Sequence, residues 1–438
     1  MSLFGALLTG VSGLQAQSQA LNITSSNIAN VDTVGYKASD TDFATVLAST
    51  IAGDNTQTGV QATTSQNVTQ QGTTQTATST TDLAIDGNGF FVTSSTPSTT
   101  NQELYYTRAG NFSPDSNGNL VNGSGDYLLG YPITTNAATG ATTTANTLTP
   151  VNIANLSGTA EPTTSISLEA NLQSSSTVDS TYVAGDMANN VVAPDFSKTI
   201  DVYDSEGGTQ PLSFSFVETA ANTWAYEVSY EGNGANISPS TNPIATGTMT
   251  FNSDGTLASA TPASATPGTI SFSIPWSGTS GLASQTISVN MGTVGSSNGI
   301  TQFDSASALT GSTVNGALFG SLSGVTVGTD GIVTANYSNG LSQNIYQIPL
   351  ATFANPDGLT AVSGTAYTAS TASGGATLNA PNTDGTGTIE SSMLEGSTVD
   401  IDTEFSDLIT TQNAYSAAAR IVTTADQMLQ TLDQIPTQ

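Results

Sequence analysis

The chain has 438 residues, enough for two or three domains with separate hydrophobic cores. Thirty-three acidic residues face only Lys37, Arg108, Lys198 and Arg420, a formal charge of −29 that argues against nucleic acid or an anionic membrane surface as partner. Cysteine and histidine are both absent, which excludes disulfides, zinc sites built on those residues, and any catalysis that needs an imidazole or a thiol.

At the N-terminus Phe4, Leu7, Val11, Leu14, Ser18, Leu21, Ser25 and Ile28 follow steps of three and four, which places them on one stripe of a helix over about residues 1–30. Gly5, Gly10 and Gly13 each cost roughly 1 kcal/mol relative to alanine there, so this helix is expected to be disordered until its stripe meets a partner. Met1 to Gln19 carries no Lys or Arg and no apolar run of signal-peptide length. No stretch approaches the ~20 apolar residues of a membrane span. Export, if it occurs, is expected to use another route.

From Asp32 to about Thr80 the chain is rich in Thr, Gln, Ser and Asn, which reads equally as extended linker or weak strand. A clear β pattern follows in Leu83, Ile85, Phe90, Phe91 and Val92, with Asp86-Gly87-Asn88-Gly89 as an expected hairpin turn. Tyr105 to Tyr131 continues it, interrupted by the turn Asp115-Ser116-Asn117-Gly118. Asp115, Asn117, Asn119 and Asp126 mimic part of a calcium loop, but Leu120 stands where glycine is needed and no bidentate Glu follows, so no metal site is expected. A polar stretch around Ala170–Val178 marks the entry to a further module. Its strands are expected at Thr199–Tyr203, Leu212–Phe216 and Trp224–Val228, the last two alternating apolar and polar, with others near 248–251, 270–274 and 287–289. Hairpin writing returns over about 324–378, with turns at Thr329-Asp330-Gly331 and Ser338-Asn339-Gly340.

The last helix is expected to start after the N-cap Asp400 and run to about Ile435, with Asp402 and Glu404 in its first turn, where carboxylates suit the helix dipole. Ile401, Phe405, Leu408, Gln412, Tyr415, Ala419, Val422, Leu429 and Leu432 form its stripe. Two such seams at opposite ends of a β-rich chain describe an assembly subunit. They pair with each other in one chain, with neighbouring chains, or both.

Ser12-Gly13-Leu14, Asn27-Ile28-Ala29-Asn30 and Thr33-Val34-Gly35-Tyr36-Lys37 resemble the N-terminal signature of the axial proteins of the bacterial flagellum. Asp82 to Phe91, Tyr106 to Phe112 and the run from Gln412 to Leu432, which includes Ala414 and Arg420, are similar to that family in the same order. Val202–Gly207 with Trp224, Gly299–Phe303 and Ala354–Leu359 resemble the inserted domain of its hook-protein branch, which the shorter rod proteins lack. Asn413 and Asp32 depart from the family's usual arginine and asparagine.

The resemblance implies an α+β fold: discontinuous terminal helices forming a coiled-coil inner domain, with two β-rich outer domains nested between them. On this chain that means residues 1–30 with 400–438 for the helices and 31–80 with 385–399 as connection. The first β-domain takes 81–170 with 323–384, and the inserted one 171–322. The implied function is a non-enzymatic hook subunit, exported by the flagellar type III apparatus and polymerised into a curved hollow tube that carries torque from rod to filament. A rod or hook-associated protein, or a secreted β-rich adhesin, is the alternative. Implied partners are further copies, the hook cap protein, the distal rod protein and the hook–filament junction protein; no cofactor is implied. Leu7, Val11, Leu14, Leu21, Ile28, Phe405, Leu408, Tyr415, Val422, Leu429 and Leu432 form the expected assembly seam. Lys37 and Arg420 are read either as inter-subunit ion-pair partners or as solvated surface cations, and Tyr36 and Tyr415 as interface anchors or core residues.

Overall fold

The computed structural model describes residues 3–47, 57–98, 102–135, 142–154, 156, 158–238, 242–262, 264 and 266–433. A long helix stands at either end, α1 at Leu3–Ala29 and α2 at Ile401–Asp433, and the rest is strands and turns. Asp400 caps α2, its carboxylate accepting from the backbone amides of Asp402 and Thr403. The expected continuation of α2 to Ile435 lies outside the described residues. No described helix is long and apolar enough to cross a membrane.

The chain divides into two compact units. The first comprises residues 1–156, 324–335 and 342–438, the second 157–323 and 336–341.

In the first unit α1 and α2 pack antiparallel: Gly10 lies against Val422, Gly13 against Ala418, and Asn27 bonds Glu404. A Cβ on Gly10 would sit 2.8 Å from Val422 Cγ2, so the glycine admits a close helix approach as well as weakening α1. Within the chain α1 thus packs on α2 through Gly10, Gly13 and Asn27. The segment left open between linker and strand is a hairpin, β1 (Ser39–Leu47) and β2 (Gln57–Gln66), in antiparallel register from Ser39 opposite Gln66. It lies on α1, where Ser12 Oγ accepts from Val60 N and Gln19 donates to Thr64. A third strand, β3 (Thr74–Thr76), pairs with Met393–Glu395.

The Asp86–Gly89 turn is not a hairpin. Its flanking strands, β4 (Leu83–Asp86) and β5 (Phe90–Ser94), do not pair: β4 pairs with Thr388–Ser391, and β5 with Leu104–Thr107, Tyr127–Thr135 and Leu350–Thr352. Adjacent apolar runs joined by a Gly-Asn-Gly turn write the same pattern whether the chain reverses in one sheet or passes to another. Phe90, Val92, Tyr106, Leu129, Ala351 and Tyr367 form the core beside β5.

The second unit has two five-stranded sheets. One is an antiparallel meander of Phe196–Tyr203, Thr209–Ala220, Thr223–Tyr230, Ala245–Phe251 and Leu257–Thr261. In the other, Ser165–Gln173 runs parallel to Gln285–Asn290 and Ile300–Phe303 and antiparallel to Ala308–Val314. Trp224, Tyr226, Phe214, Ile287 and Ile300 meet in one core. The packed core of this unit reaches back before the expected boundary at 171, since Ile166, Leu168, Ala170 and Leu172 belong to it. Polar residues on the open face of that strand make it look like a crossing. Strand Thr223–Tyr230 is also not half-buried. Its second face is covered by a loop whose Gly185, Met187 and Ala188 amides and Tyr182 hydroxyl all donate to the fully buried Glu227 carboxylate.

Candidate functional site

The C-terminal end of α1, the start of α2 and the first β-domain meet in a polar junction made mostly of motif residues. Asn27 is 1% exposed and fully bonded. Its amide donates to Glu404 Oε1 at 2.7 Å and to the Ser39 carbonyl, while its oxygen accepts from Tyr36 Oη and Ser39 N. One asparagine thereby ties α1 to α2, to β1 and to its own following turn. Asn30 tightens that turn, donating to the Ser26 carbonyl and accepting from Thr33 Oγ1.

Gly35 follows at φ +69°, and a Cβ there would lie 2.5 Å from Ala109 N, so only glycine lets this segment lie on the Arg108–Ala109 backbone. Its amide donates to the Glu395 carbonyl. Lys37 comes next and is buried. Its Nζ donates to the Gln70 carbonyl and to Glu395 Oε1, which also accepts from Gly72 N at 2.8 Å. Glu395 Oε2 lies 3.2 Å from Arg108 Nη1, and Arg108 Nη2 donates to the Gly87 carbonyl while the guanidinium sits over the Phe90 ring. Burial pulls Lys37 below the usual lysine range, with Glu395 opposing the shift and Arg108 adding to it. Burial also lowers Arg108, against the pull of Glu395.

Neither reading of Lys37 stands: it is neither solvated nor free for another subunit, because a carboxylate of its own chain holds it. Glu395 was missed, and Glu404 was read only as a first-turn carboxylate, not as the partner of Asn27. In a chain with four cations, one of them (Arg108) directly after the apolar run Leu104–Thr107, the available signal was that a carboxylate had to be buried beside it.

The seam residues distribute unevenly. Leu408, Val422 and Leu429 are half-buried, Val422 meeting α1 at Gly10, whereas Phe405 and Tyr415 are 51% and 41% exposed. On α1 the intra-chain contact runs through Gly10, Gly13 and Asn27. Leu7, Val11, Leu14, Leu21 and Ile28 are half-buried on a face rotated by roughly 100° from it. Large apolar residues drew the stripe; small ones make the closest approach. The side chains of Phe4 and Leu432 lie outside those described. Gln412 and Arg420 are exposed, and Ala414 lines a crevice of about 450 Å³ between α1, β1 and α2.

Four family models cover this layout in chain order. A flagella basal body rod protein model matches residues 7–37 and a flagellar hook protein FlgE/F/G D1 domain model residues 84–178. A flagellar basal body protein FlaE D2 domain model matches 171–317, and a flagellar basal body rod FlgEFG protein C-terminal model 390–435. The class follows: this is a structural protein of the flagellar axis. The flagellar hook protein FlgE of Brucella melitensis is 35% identical over 432 residues, covering 99% of both chains. Those of Escherichia coli and Salmonella typhimurium are 32% and 33% identical, covering 98% and 96% of this chain and 99% and 98% of those proteins. The chain belongs to the flagellar hook protein family, FlgE, and is a structural subunit of the hook, outside the cell membrane.

Proposed function

We propose that the chain builds the hook by self-assembly, its paired terminal helices forming a coiled-coil inner wall around a channel. The observation that carries this reading is the surface of α2. Ile401, Phe405, Ile409, Tyr415 and Met428 are each 41–58% exposed, although the helix already packs on α1 through Ala418 and Val422. Apolar groups in such number on one helix mark a surface that another protein covers. The half-buried α1 stripe of Leu7, Val11, Leu14, Leu21 and Ile28 extends it, so these residues with Phe405 and Tyr415 serve contacts between copies, while Val422 serves the contact within the chain. The junction at Asn27, Lys37 and Glu395 transmits force between the wall helices and the β-domain, and torque passes from rod to filament through it. Bending is taken up between β-domains of neighbouring copies.

Export through the flagellar type III apparatus and capping by a hook cap protein belong to the same reading. So do end contacts with distal rod and hook–filament junction proteins. Electron microscopy of polymers grown from purified protein tests it. Curved tubes from the full chain, and none after removal of residues 1–30 and 400–438, are expected. Tubes formed without both helices, or a reconstruction with the helices outermost, would overturn it.

A further inference from the structure

The four cations of the chain have very different fates. Lys37 and Arg108 are buried on Glu395, and Lys198 is in the second unit. That leaves Arg420 as the exposed cation of the first unit. It lies two residues from both Ala418, which meets α1, and Val422, which does too. At 3.6 residues per turn it therefore points away from α1. Among the described residues it has no carboxylate within 4.0 Å.

The crevice between α1, β1 and α2 shows the opposite imbalance. Asp40, Glu404 and Asp407 line it, and no cation does. Glu404 is 8% exposed; one oxygen accepts from Asn27, and the other accepts no hydrogen bond among the described residues. Burial raises the Glu404 carboxyl above the usual range, and Asp407 and Asp40 push it the same way, so the crevice favours incoming positive charge. Arg420 cannot supply it within the chain. Thirteen to sixteen residues of helix separate it from Asp407 and Glu404, roughly 20–24 Å, far beyond an arginine's reach.

We propose that Arg420 of one copy docks into the crevice formed by Asp40, Glu404 and Asp407 of a neighbouring copy, staggered along the helix axis by about that distance. The guanidinium fork suits carboxylates presented from two elements, and a pair inside a crevice is screened less than one in open solvent. The contact rests on the self-assembly reading and adds a register to it.

The test measures the concentration needed for polymer formation by sedimentation at physiological ionic strength. Arg420→Asp and Asp407→Arg, each alone, are expected to raise it by about tenfold or more, and the double exchange to restore it to within about threefold. A double exchange no better than the single changes, or Arg420→Gln polymerising like wild type, would refute the contact. Loss of polymer on adding a chelator, with Arg420→Gln unaffected, would assign the crevice to a divalent cation instead and equally refute it. A second measurement does not depend on how the charge variants fold. The chain has no cysteine, so Arg420→Cys with Asp407→Cys can give a disulfide ladder only between copies. The ladder is expected on oxidation of the polymer and is absent if Arg420→Cys is combined with Gln430→Cys; equal ladders from both pairs would also refute the contact. Wild-type protein that never polymerises would overturn the assembly reading itself, whereas wild-type polymer without rescue or ladder overturns only this contact.

Discussion

Two buried cations share one carboxylate at the junction, and the consequences of that ratio are measurable. Replacing Glu395 by glutamine removes the one carboxylate that pairs with Lys37 and Arg108 among the described residues, leaving two desolvated positive charges together. Breaking a buried pair in this way is expected to cost ~3–5 kcal/mol in urea denaturation of the full chain, far more than an exposed pair contributes. Glu404 gives a pH dependence of the opposite kind. Its folded pKa is raised, so the folded chain holds the proton more tightly than the unfolded chain does. The stability this provides is fully present below the ordinary glutamate value of 4.5 and is lost as pH rises through the raised folded value. Glu404→Gln keeps an acceptor for Asn27 without ionising. It should melt above wild type at neutral pH, with the difference closing as the pH falls to 4.5. A constant difference across that range would contradict the assignment.

At the scale of elements, the two glycines of α1 separate helix propensity from packing. Gly10→Ala gains about 1 kcal/mol of helix propensity but places a methyl 2.8 Å from Val422 Cγ2. Overpacking of this kind costs ~1–3 kcal/mol, so net loss of stability is expected. Gly13→Ala meets only Ala418 Cβ at 3.7 Å, an ordinary contact, and should stabilise by up to about 1 kcal/mol. Chemical denaturation of both variants decides the matter; equal effects would show that α1 does not pack on α2 at Gly10. Elements were also where sequence and structure parted. The strands from Thr199 to Val289 and the turns at Gly331 and Gly340 were legible because alternation and positive-φ glycine are local properties. The partners of β4, and one of those of β5, were not, because they lie roughly 300 and 260 positions away, at Thr388–Ser391 and Leu350–Thr352.

For the whole molecule, charge is the dominant long-range term. Copies that each carry −29 repel one another, and at physiological ionic strength that repulsion is screened over ~8 Å. Polymer yield at fixed protein concentration should therefore rise from low to moderate salt, read by light scattering. A yield independent of salt would mean that the acidic surfaces do not face one another. With so few free cations, association must draw mainly on apolar surface such as that of α2.

The helix–β–helix plan, the caps and the turn glycines were set by the sequence itself, because periodicity, capping and backbone freedom act within a few residues. The tertiary structure alone decided that Gly10 and Gly13 lie at the helix contact while Leu7 and Val11 flank it. It alone brought Lys37 to Glu395 across 358 positions of sequence. A residue type records what a side chain can do. Which side chain it meets depends on how the distant segments pack, and no local pattern in this chain carries that information.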